Sequence, residues 1–509
     1  MRVLRCTAKR SGTSLLRRLS LLQHLWRYHA QATRFIATTH LINTMTVIKS
    51  ISGIRGTVGG SLTDGFNPLT IAHFVVGYAQ HIKLYESVSR PTIVVGRDAR
   101  LSGEMVQQVV IGTLLGMGCD VINIGLATTP TTEMAVLGHR ADGGIIITAS
   151  HNPIQWNALK FLGSDGTFLN VDRGNEVLRL SEDHTVPFAS VEDLGQVIST
   201  DSYLQKHIDA ILALPEVDVE AIRKAELTVA YDPINSVGAI ALPPLFEALG
   251  VKEWRGINDT PDGKFAHNPE PLPSNLVDLC ELVRIAHADV GFSVDPDVDR
   301  LAIIDETGHP FGEEYTLVSV ADYLLGYHEG GNTVSNMSST RALRDITEQH
   351  GGSYMPAAVG EVNVVKRMRE TDALIGGEGN GGVIYPRLHA GRDALVGIAL
   401  FLTHLAKSGE TVSQLRKRDP DYAMCKRRVE LPAGTDVTAL FASLEREVAS
   451  LNPLTEDGLK IDFDDSWVQV RPSNTEPIVR VYTEAPTEEA ASALADEYVS
   501  LVEQQLARK

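Results

Sequence analysis

Residues 143–153 read Gly-Gly-Ile-Ile-Ile-Thr-Ala-Ser-His-Asn-Pro. Three consecutive isoleucines without polar alternation are typical of a strand buried on both faces of an α/β sheet. The strand runs directly into a polar loop of small residues, so the hydroxyl of Ser150 is exposed where the strand ends. A serine in such a place more commonly caps a helix or a turn. Ser150 is therefore a candidate nucleophile only in combination with the motifs downstream of it.

The same order of a buried strand followed by a charged residue recurs along the chain. Apolar runs at 92–96, 227–231 and 290–294 are each followed at once by Arg or Asp. Amphipathic helical stretches, such as 68–82 and 106–115, separate runs of this kind. This alternation predicts parallel or mixed α/β sheets, whose functional groups collect at the carboxyl ends of the strands.

The length of 509 residues is too great for one hydrophobic core, so we expect several domains. Polar or turn-rich stretches near 181–200, 305–313 and 416–421 suggest three boundaries. We therefore predict four domains after a short leader, at residues 45–200, 201–308, 309–422 and 423–509.

Composition excludes several classes of protein. Apolar residues make up 43% of the chain and no apolar run is long enough to cross a bilayer, which indicates a globular protein outside the membrane. The four cysteines form no C-x-x-C pair, which argues against a disulfide framework or a zinc site. Scattered cysteines suit a reducing compartment, and we expect the protein to be cytoplasmic.

Charge is distributed unevenly. Residues 1–44 hold eight of the 46 Lys and Arg and no acidic residue, so the remainder has 38 basic against 64 acidic side chains, a formal charge of −26. An acidic body of this kind is a poor candidate for binding nucleic acid, which needs a basic face. Any phosphate ligand must therefore be bound by cations gathered locally.

The leader, residues 1–44, has two interpretations. Its Arg-rich, acid-free composition is typical of an organellar transit peptide. Alternatively, translation starts at Met45, where a compact domain begins, and the upstream start is mis-called. We favour the mis-called start because nothing else indicates an organelle, and we exclude the leader from the fold.

Three carboxylates stand on alternate residues at Asp295, Asp297 and Asp299. Alternate side chains of an extended segment point the same way, so the three can converge on one hard cation. Mg²⁺ is preferred because it takes few protein carboxylates together with phosphate oxygens. An EF-hand loop fails because Arg300 stands where that loop needs glycine and residues 301–304 read as a strand; a solvated acidic loop stays open.

Two further polar loops follow the carboxylates. Glu378 and Asn380 lie in the glycine-rich loop 377–382, which can approach a sugar ring closely; the alternative is a flexible linker. A second loop can surround a dianionic phosphate, the alternative being a polar hairpin turn. Its candidate phosphate ligands are Arg471, Ser473, Asn474 and Thr475.

The remaining candidates are mostly cations. Arg55 and Arg97 each lie beside glycine, which suits close approach to an anion. Lys160 follows the serine loop and can act as acid/base or as charge stabiliser. Each of these alone is more commonly a solvated surface charge. His151, next to the serine, joins the catalytic candidates, and Arg300 joins the substrate-binding candidates.

Taken in order over residues 45–509, these motifs resemble the α-D-phosphohexomutase family. The resemblance implies three related mixed α/β domains and a smaller C-terminal α+β domain around a central cleft. It implies that Ser150 carries a phosphoryl group and that Mg²⁺ binds a phosphoserine oxygen with Asp295, Asp297 and Asp299. It further implies that Glu378 reads the sugar and that the Arg471 loop binds the distal phosphate.

The implied activity is interconversion of hexose 6-phosphate and hexose 1-phosphate. The phosphoserine enzyme would give a hexose 1,6-bisphosphate intermediate, which also serves as activator. The expected partner is a small sugar phosphate, with no nucleic acid and no membrane, and the expected state is a monomer or homodimer.

The finer assignment depends on two short stretches. The opening at 52–56 and the loop 377–382 look most like phosphoglucosamine mutases of the archaeal-type branch, with phosphomannomutase/phosphoglucomutase activity as the alternative. Many relatives carry Ser and His where this chain has Asn380 and Gly382, which moves the acid/base assignment towards Lys160. Two other functions are less consistent with these motifs. A serine phosphatase would not need the Arg471 loop to bind a distal phosphate, and a non-catalytic sugar-phosphate sensor would not need the nucleophile.

Overall fold

The computed structural model describes residues 47–50, 53–61, 64–199, 202–473 and 476–508. Within these ranges strands and helices alternate as the apolar runs predict, and the α/β class is confirmed. The strands, numbered in chain order, are β1 (Val47–Ser50), β2 (Gly53–Thr57), β3 (Thr92–Arg97), β4 (Asp120–Leu126), β5 (Gly143–Ile147), β6 (Trp156–Gly163), β7 (Val197–Ser199), β8 (Thr228–Asp232), β9 (Glu253–Gly256), β10 (Val290–Val294), β11 (Leu301–Ile304), β12 (Asn332–Asn336), β13 (Tyr354–Ala357), β14 (Ala373–Glu378), β15 (Gly382–Ile384), β16 (Ala423–Glu430), β17 (Leu459–Asp462), β18 (Trp467–Pro472) and β19 (Ile478–Ala485).

The helices cover the sheets and join their strands. In chain order they are α1 (Pro68–Tyr85), α2 (Gly103–Gly116), α3 (Thr129–His139), α4 (Val171–Ser181), α5 (Leu204–Leu212), α6 (Val219–Ala225), α7 (Gly238–Leu249), α8 (Val277–Ala286), α9 (Glu313–Tyr327), α10 (Ala342–Gln349), α11 (Glu361–Thr371), α12 (Ala394–Ser408), α13 (Val412–Arg416), α14 (Val437–Val448) and α15 (Glu488–Ala507). Among the helices that the structure describes, none combines the length and apolar composition that crossing a membrane requires.

One strand order occurs three times. The sheets contain the neighbouring strands β6-β5-β3-β4, then β11-β10-β8-β9, then β15-β14-β12-β13. In each set three strands are parallel and the last strand along the chain is antiparallel to its neighbour. This repetition confirms three related mixed α/β domains.

The functional loops occupy the same place in each repeat. Each lies between the third parallel strand and its antiparallel neighbour, which puts Ser150 between β5 and β6 and the three aspartates between β10 and β11. Asn380 lies between β14 and β15, directly after Glu378 at the end of β14. Equivalent positions in three sheets therefore supply the three polar loops.

The C-terminal domain has a different sheet. Its strands are all antiparallel, in the order β16-β19-β18-β17, and α14 and α15 contribute to the same hydrophobic core. The loop that begins at Arg471 joins β18 to β19. This is the smaller α+β domain that the resemblance implied.

The stretch 181–200, which we expected to be a boundary, extends the first sheet. Its short strand β7 pairs in parallel with β4, with Val197 opposite Val121. Only three residues form this edge strand, and the polar residues around them hide it from pattern analysis. The other edge carries β1 and β2, so the first sheet has seven strands among the described residues.

The second and third domains share one core. Helix α12 is apolar around most of its surface and packs with side chains of both domains, among them Phe292 and Leu317. Asp393 caps its first turn by accepting from the backbone N–H groups of Leu395 and Val396. Each fully buried Leu or Phe of such a core contributes roughly 1.5–3 kcal/mol. The loops of these two domains are therefore held in a fixed relation.

Candidate active site

A cavity of about 550 Å³ lies between the domains at the carboxyl ends of the parallel strands. It is lined by side chains of the first three domains and by Arg471 of the fourth. The predicted residues that line it are Arg55, Ser150, His151, Lys160, Arg300, Glu378, Asn380 and Arg471.

Ser150 has an unusual backbone conformation. Its φ of 47° is in the left-handed region, which residues other than glycine rarely adopt unless their surroundings require it. Its N–H donates to Thr148 Oγ1 at 2.9 Å, and its hydroxyl donates to Asp295 Oδ2 at 2.6 Å. Nδ1 of His151 is 3.2 Å from the same hydroxyl oxygen. The serine loop of the first domain and the aspartate loop of the second therefore meet at this oxygen.

Arg100 fixes the serine loop, and the sequence analysis missed it. The guanidinium is 1% exposed and also donates to the carboxylate of Asp98. Asp98 in turn accepts from Thr148 Oγ1 at 2.6 Å, so Asp98 connects Arg100 to the residue before the loop. The loop carbonyls that accept from Arg100 are those of Ser150, Asn152, Pro153 and Trp156. The sequence signal that could have identified Arg100 was the group of charged residues at the end of strand β3, from which we selected Arg97 instead.

We expect Arg100→Lys to lower kcat by about 10²-fold with little change in KM. Lysine cannot reach four carbonyls, and a displacement of about 1 Å of a reacting group costs on that order. The free energy of unfolding should fall by about 2–3 kcal/mol, because buried loop carbonyls lose their donors. Steady-state kinetics and denaturant unfolding measure both effects. Arg90→Lys, at an exposed arginine bonded twice to Asp120, is the matched control and should change neither quantity. A wild-type kcat for Arg100→Lys would contradict the role of Arg100 in holding the serine loop.

The three aspartates form a buried cluster whose ligand oxygens lie within 4.8 Å of one another. One oxygen of Asp295 accepts from the N–H groups of Asp299 and Arg300, each at 3.1 Å. In the described part of the chain, Asp297 Oδ1 and Asp299 Oδ1 have no hydrogen-bond partner although both are buried. Carboxylate oxygens that are close, buried and unpaired fit a hard cation such as Mg²⁺.

Lys160 lies beside this cluster. Its Nζ donates to Asp297 Oδ2 at 2.7 Å and is 3.6 Å from Asp299 Oδ2. Burial alone would lower the pKa of Lys160, but the two aspartates outweigh burial and raise it. Burial, reinforced by Asp299 and Asp297, raises the pKa of Asp295 well above its usual range. Lys160 is therefore a fixed ammonium group in the floor of the site.

Glu378 is held in place from three sides. One carboxylate oxygen accepts from Asn336 Nδ2 at 2.9 Å and from the N–H of Gly360 at 3.1 Å. The other accepts from Arg392 Nη1 at 2.9 Å. Burial would raise the pKa of Glu378, but Arg392 outweighs it and lowers the pKa. Glu378 thus enters the cavity as an oriented, ionised acceptor.

Arg392 explains why residue 382 is glycine. A Cβ on Gly382 would lie 2.4 Å from Arg392 Cδ, so the arginine stem occupies the space of a side chain there. The guanidinium also donates to Asp299 at 2.7 Å and to Glu361 at 2.9 Å, and it joins the aspartate cluster to the glycine-rich loop 377–382. Arg392 and Glu361 both line the cavity, and the sequence analysis missed both. A buried arginine with three carboxylate partners is recognisable only once the chain is folded.

The remaining predicted residues are Arg97 and the four candidates of the loop that begins at Arg471. Arg471 lines the cavity while its Nε contacts Asp457 at 3.1 Å, whereas Ser473 is not among the lining residues. The guanidinium of Arg97 donates to Gln107 and to the Asp98 carbonyl, and Arg97 is not among the described residues that line the cavity. Two predicted phosphate ligands lie outside the described residues, namely Asn474 and Thr475.

Comparison with known families accounts for nearly the whole described chain. Models of the phosphoglucomutase/phosphomannomutase family match in order: alpha/beta/alpha domain I at residues 47–185, domain II at 205–308, domain III at 312–422 and the C-terminal domain at 426–501. The fold and the site define a phosphohexomutase, a class of isomerases. The chain belongs to the phosphoglucomutase/phosphomannomutase family.

Individual relatives match over most of their length. A phosphoglucomutase/phosphomannomutase of Thermococcus kodakarensis is 39% identical over 457 residues, which covers 89% of this chain and 98% of the relative. A probable phosphoglucosamine mutase of Methanopyrus kandleri is 33% identical and covers 89% and 96%. Among solved structures, a putative phosphomannomutase from Thermus thermophilus is 26% identical, has a TM-score of 0.75 and covers 91% and 100%.

Proposed function

We propose that this chain interconverts hexose 6-phosphates and hexose 1-phosphates through a phosphorylated Ser150. The observation that carries the proposal is the 2.6 Å contact of the Ser150 hydroxyl with Asp295, inside a cavity that Arg471 of the fourth domain also lines. A nucleophile and a distal cation thus line one substrate-sized space, and a cluster of metal-binding type adjoins the nucleophile. Each group has a task in moving a phosphoryl group between a serine and a sugar.

The reaction consists of two transfers. In the first, a sugar hydroxyl attacks the phosphorus of phosphoserine, the bond to Ser150 Oγ breaks, the hydroxyl proton passes to Ser150 Oγ, and the sugar monophosphate becomes a 1,6-bisphosphate. The bisphosphate then turns around in the cavity. In the second transfer Ser150 Oγ attacks the other phosphate, the bond to the sugar oxygen breaks, and the isomeric monophosphate leaves.

The residues of the chain have distinct roles in this scheme. Asp295, Asp297, Asp299 and a phosphoserine oxygen would hold Mg²⁺, which when bound neutralises charge on the transferring group. The contacts of Lys160 with two of these aspartates support a role as charge stabiliser. Arg471 binds whichever phosphate is not reacting, and Glu378 accepts from the sugar hydroxyls. In a mutase, the anion site at Arg471 must accept the phosphate at either end of the sugar, because the bisphosphate turns around between the two transfers.

We propose glucosamine phosphate as the preferred substrate, with mannose or glucose phosphate as the alternative. The loop 377–382 supports glucosamine, and relatives named phosphoglucosamine mutase support it too. The relative with 39% identity carries the alternative name, so both sugars must be tested.

The test compares kcat/KM for the 1-phosphates of glucosamine, mannose and glucose, with Mg²⁺ and a trace of the matching 1,6-bisphosphate. We expect the highest value for glucosamine 1-phosphate. Preference for mannose or glucose would contradict the assignment of the sugar and leave the mutase intact. Inorganic phosphate is measured in the same assay, because its release in place of isomerisation would identify a serine phosphatase and contradict the mutase.

A further inference from the structure

A buried cluster of ionisable side chains lies where the first three domains meet, away from the active-site lining. Glu133 comes from α3, His207 from α5, His389 from the loop before α12, and Asp393 from the cap of α12. Their side chains are at most 2% exposed. Nothing in the phosphoryl-transfer scheme uses these four residues.

Three atoms of the cluster are of the kind that bind transition metals. Asp393 Oδ2 is 2.8 Å from His207 Nε2 and 3.2 Å from His389 Nε2, and all three lie within 4.8 Å of one another. A tetrahedral ion about 2.0–2.2 Å from each ligand needs ligand separations of roughly 3.2–3.5 Å. A shift of a few tenths of an ångström in one imidazole reaches that spacing.

The outer contacts of these ligands resemble those of metal centres. Asp393 uses its other oxygen to accept from two helix N–H groups, which leaves Oδ2 directed at the histidines. The second ring nitrogen of His207 is 3.0 Å from Thr131 Oγ1, and that of His389 is 3.2 Å from Glu133 Oε2. Histidines that bind metals are typically oriented through the other ring nitrogen by a carboxylate or a similar group.

The carboxylate of Glu133 is buried beside His389. Within the described chain, neither oxygen of Glu133 has a hydrogen bond of good geometry. A buried carboxylate without a hydrogen-bond partner fits a site whose neighbouring imidazole binds a cation. The side chain of Glu133 is packed closely against residue 391, because a Cβ on Gly391 would lie 1.9 Å from Glu133 Oε2.

We infer that His207, His389 and Asp393 bind a divalent transition ion of the zinc type, with Glu133 orienting His389. Imidazole nitrogens favour such an ion over Mg²⁺, which separates this centre chemically from the aspartate cluster. The cysteine pattern, which argued against zinc, carries no information about histidine ligands. The ion links the second and third domains directly and the first through Glu133, and its role is structural.

The first experiment measures metal in the full wild-type chain. The protein is expressed in medium with Zn²⁺, purified without chelator or histidine tag, exchanged into excess Mg²⁺ to clear the aspartate cluster, and analysed by plasma mass spectrometry. We expect one Zn²⁺ per chain. Replacement by Co²⁺ should give the intense visible absorption of a tetrahedral site. Less than about one tenth of an equivalent in correctly folded wild-type protein would overturn the inference and leave a network of protons in its place.

Variants then locate the ion. His207→Gln and His389→Gln should lose the zinc, and Glu133→Gln should weaken its retention about 10- to 100-fold. Asp297→Asn should keep it, which distinguishes this centre from the proposed magnesium site. His350→Gln is the matched control, because His350 makes a contact of 2.8 Å with Asp322 at a partly exposed site, and it should also keep the zinc. Zinc retained by both His207→Gln and His389→Gln would refute the assignment even if the wild type binds it.

Discussion

Ser150→Ala is expected to lower kcat at least ~10³-fold, even with added hexose 1,6-bisphosphate. The variant has no oxygen to carry the phosphoryl group, because Ser150 Oγ is the hydroxyl that donates to Asp295. The fold should persist, because alanine and serine bear the same strain at a φ of 47° and Arg100 still holds the loop carbonyls. Isomerisation assays and circular dichroism measure the two outcomes.

A matched control for this variant is Ser164→Ala. Ser164 is an exposed serine of the same domain whose hydroxyl donates to Glu86, so its loss should leave kcat unchanged. Intact-protein mass spectrometry adds a readout independent of turnover: the wild type should accept about 80 Da from bisphosphate, as one phosphoryl group does, and Ser150→Ala should not. Near-normal activity of Ser150→Ala would end the phosphoserine mechanism.

Removal of divalent metal should have a comparable effect. We expect chelation with EDTA to lower turnover at least ~10³-fold and Mg²⁺ to restore it, because three buried carboxylates beside a phosphoserine would repel the incoming phosphate. Asp297→Asn should show the same loss without chelator and should not be rescued at ordinary Mg²⁺ concentrations. Mg²⁺ at about 100 times its Kd should also raise the free energy of unfolding of the wild type by about 2.7 kcal/mol.

The control for Asp297→Asn lies at the other end of strand β10. Asp289 stands before β10, at the end opposite the aspartate cluster, where it accepts from the N–H of Thr228. Asp289→Asn should keep full activity and full dependence on Mg²⁺. Turnover that is unaffected by EDTA in the wild type would refute the assignment of the three aspartates.

The parts of the fold that the sequence predicts are those with local causes. The isoleucines before Ser150 form a buried strand because a continuous apolar run is stabilised by removal from water, and β10 is predicted for the same reason. The three aspartates can be predicted as a group of carboxylates at a strand end, but a turn with Val298 at a φ of 63°, and not an extended segment, brings them together. Ser150 and Asp295 could be placed at strand ends, although their contact spans 145 residues of sequence.

The parts that the sequence does not predict depend on distant partners. Arg100 and Arg97 have similar neighbours along the chain, and only the folded serine loop decides which of them it binds. Arg392 is identified by three carboxylates from three different segments. The short strand β7 escaped because pairing with β4, and not its own composition, makes it a strand.

The distance between Ser150 and its aspartate has a consequence for a chain during its synthesis. A ribosome adding about 5–20 residues per second needs roughly 7 to 30 s to pass from one partner to the other. For that interval the first domain can fold and set its serine loop, while the carboxylates that complete the centre do not yet exist. On the proposed mechanism, a nascent chain is therefore inactive towards sugar phosphates until its second domain has left the ribosome.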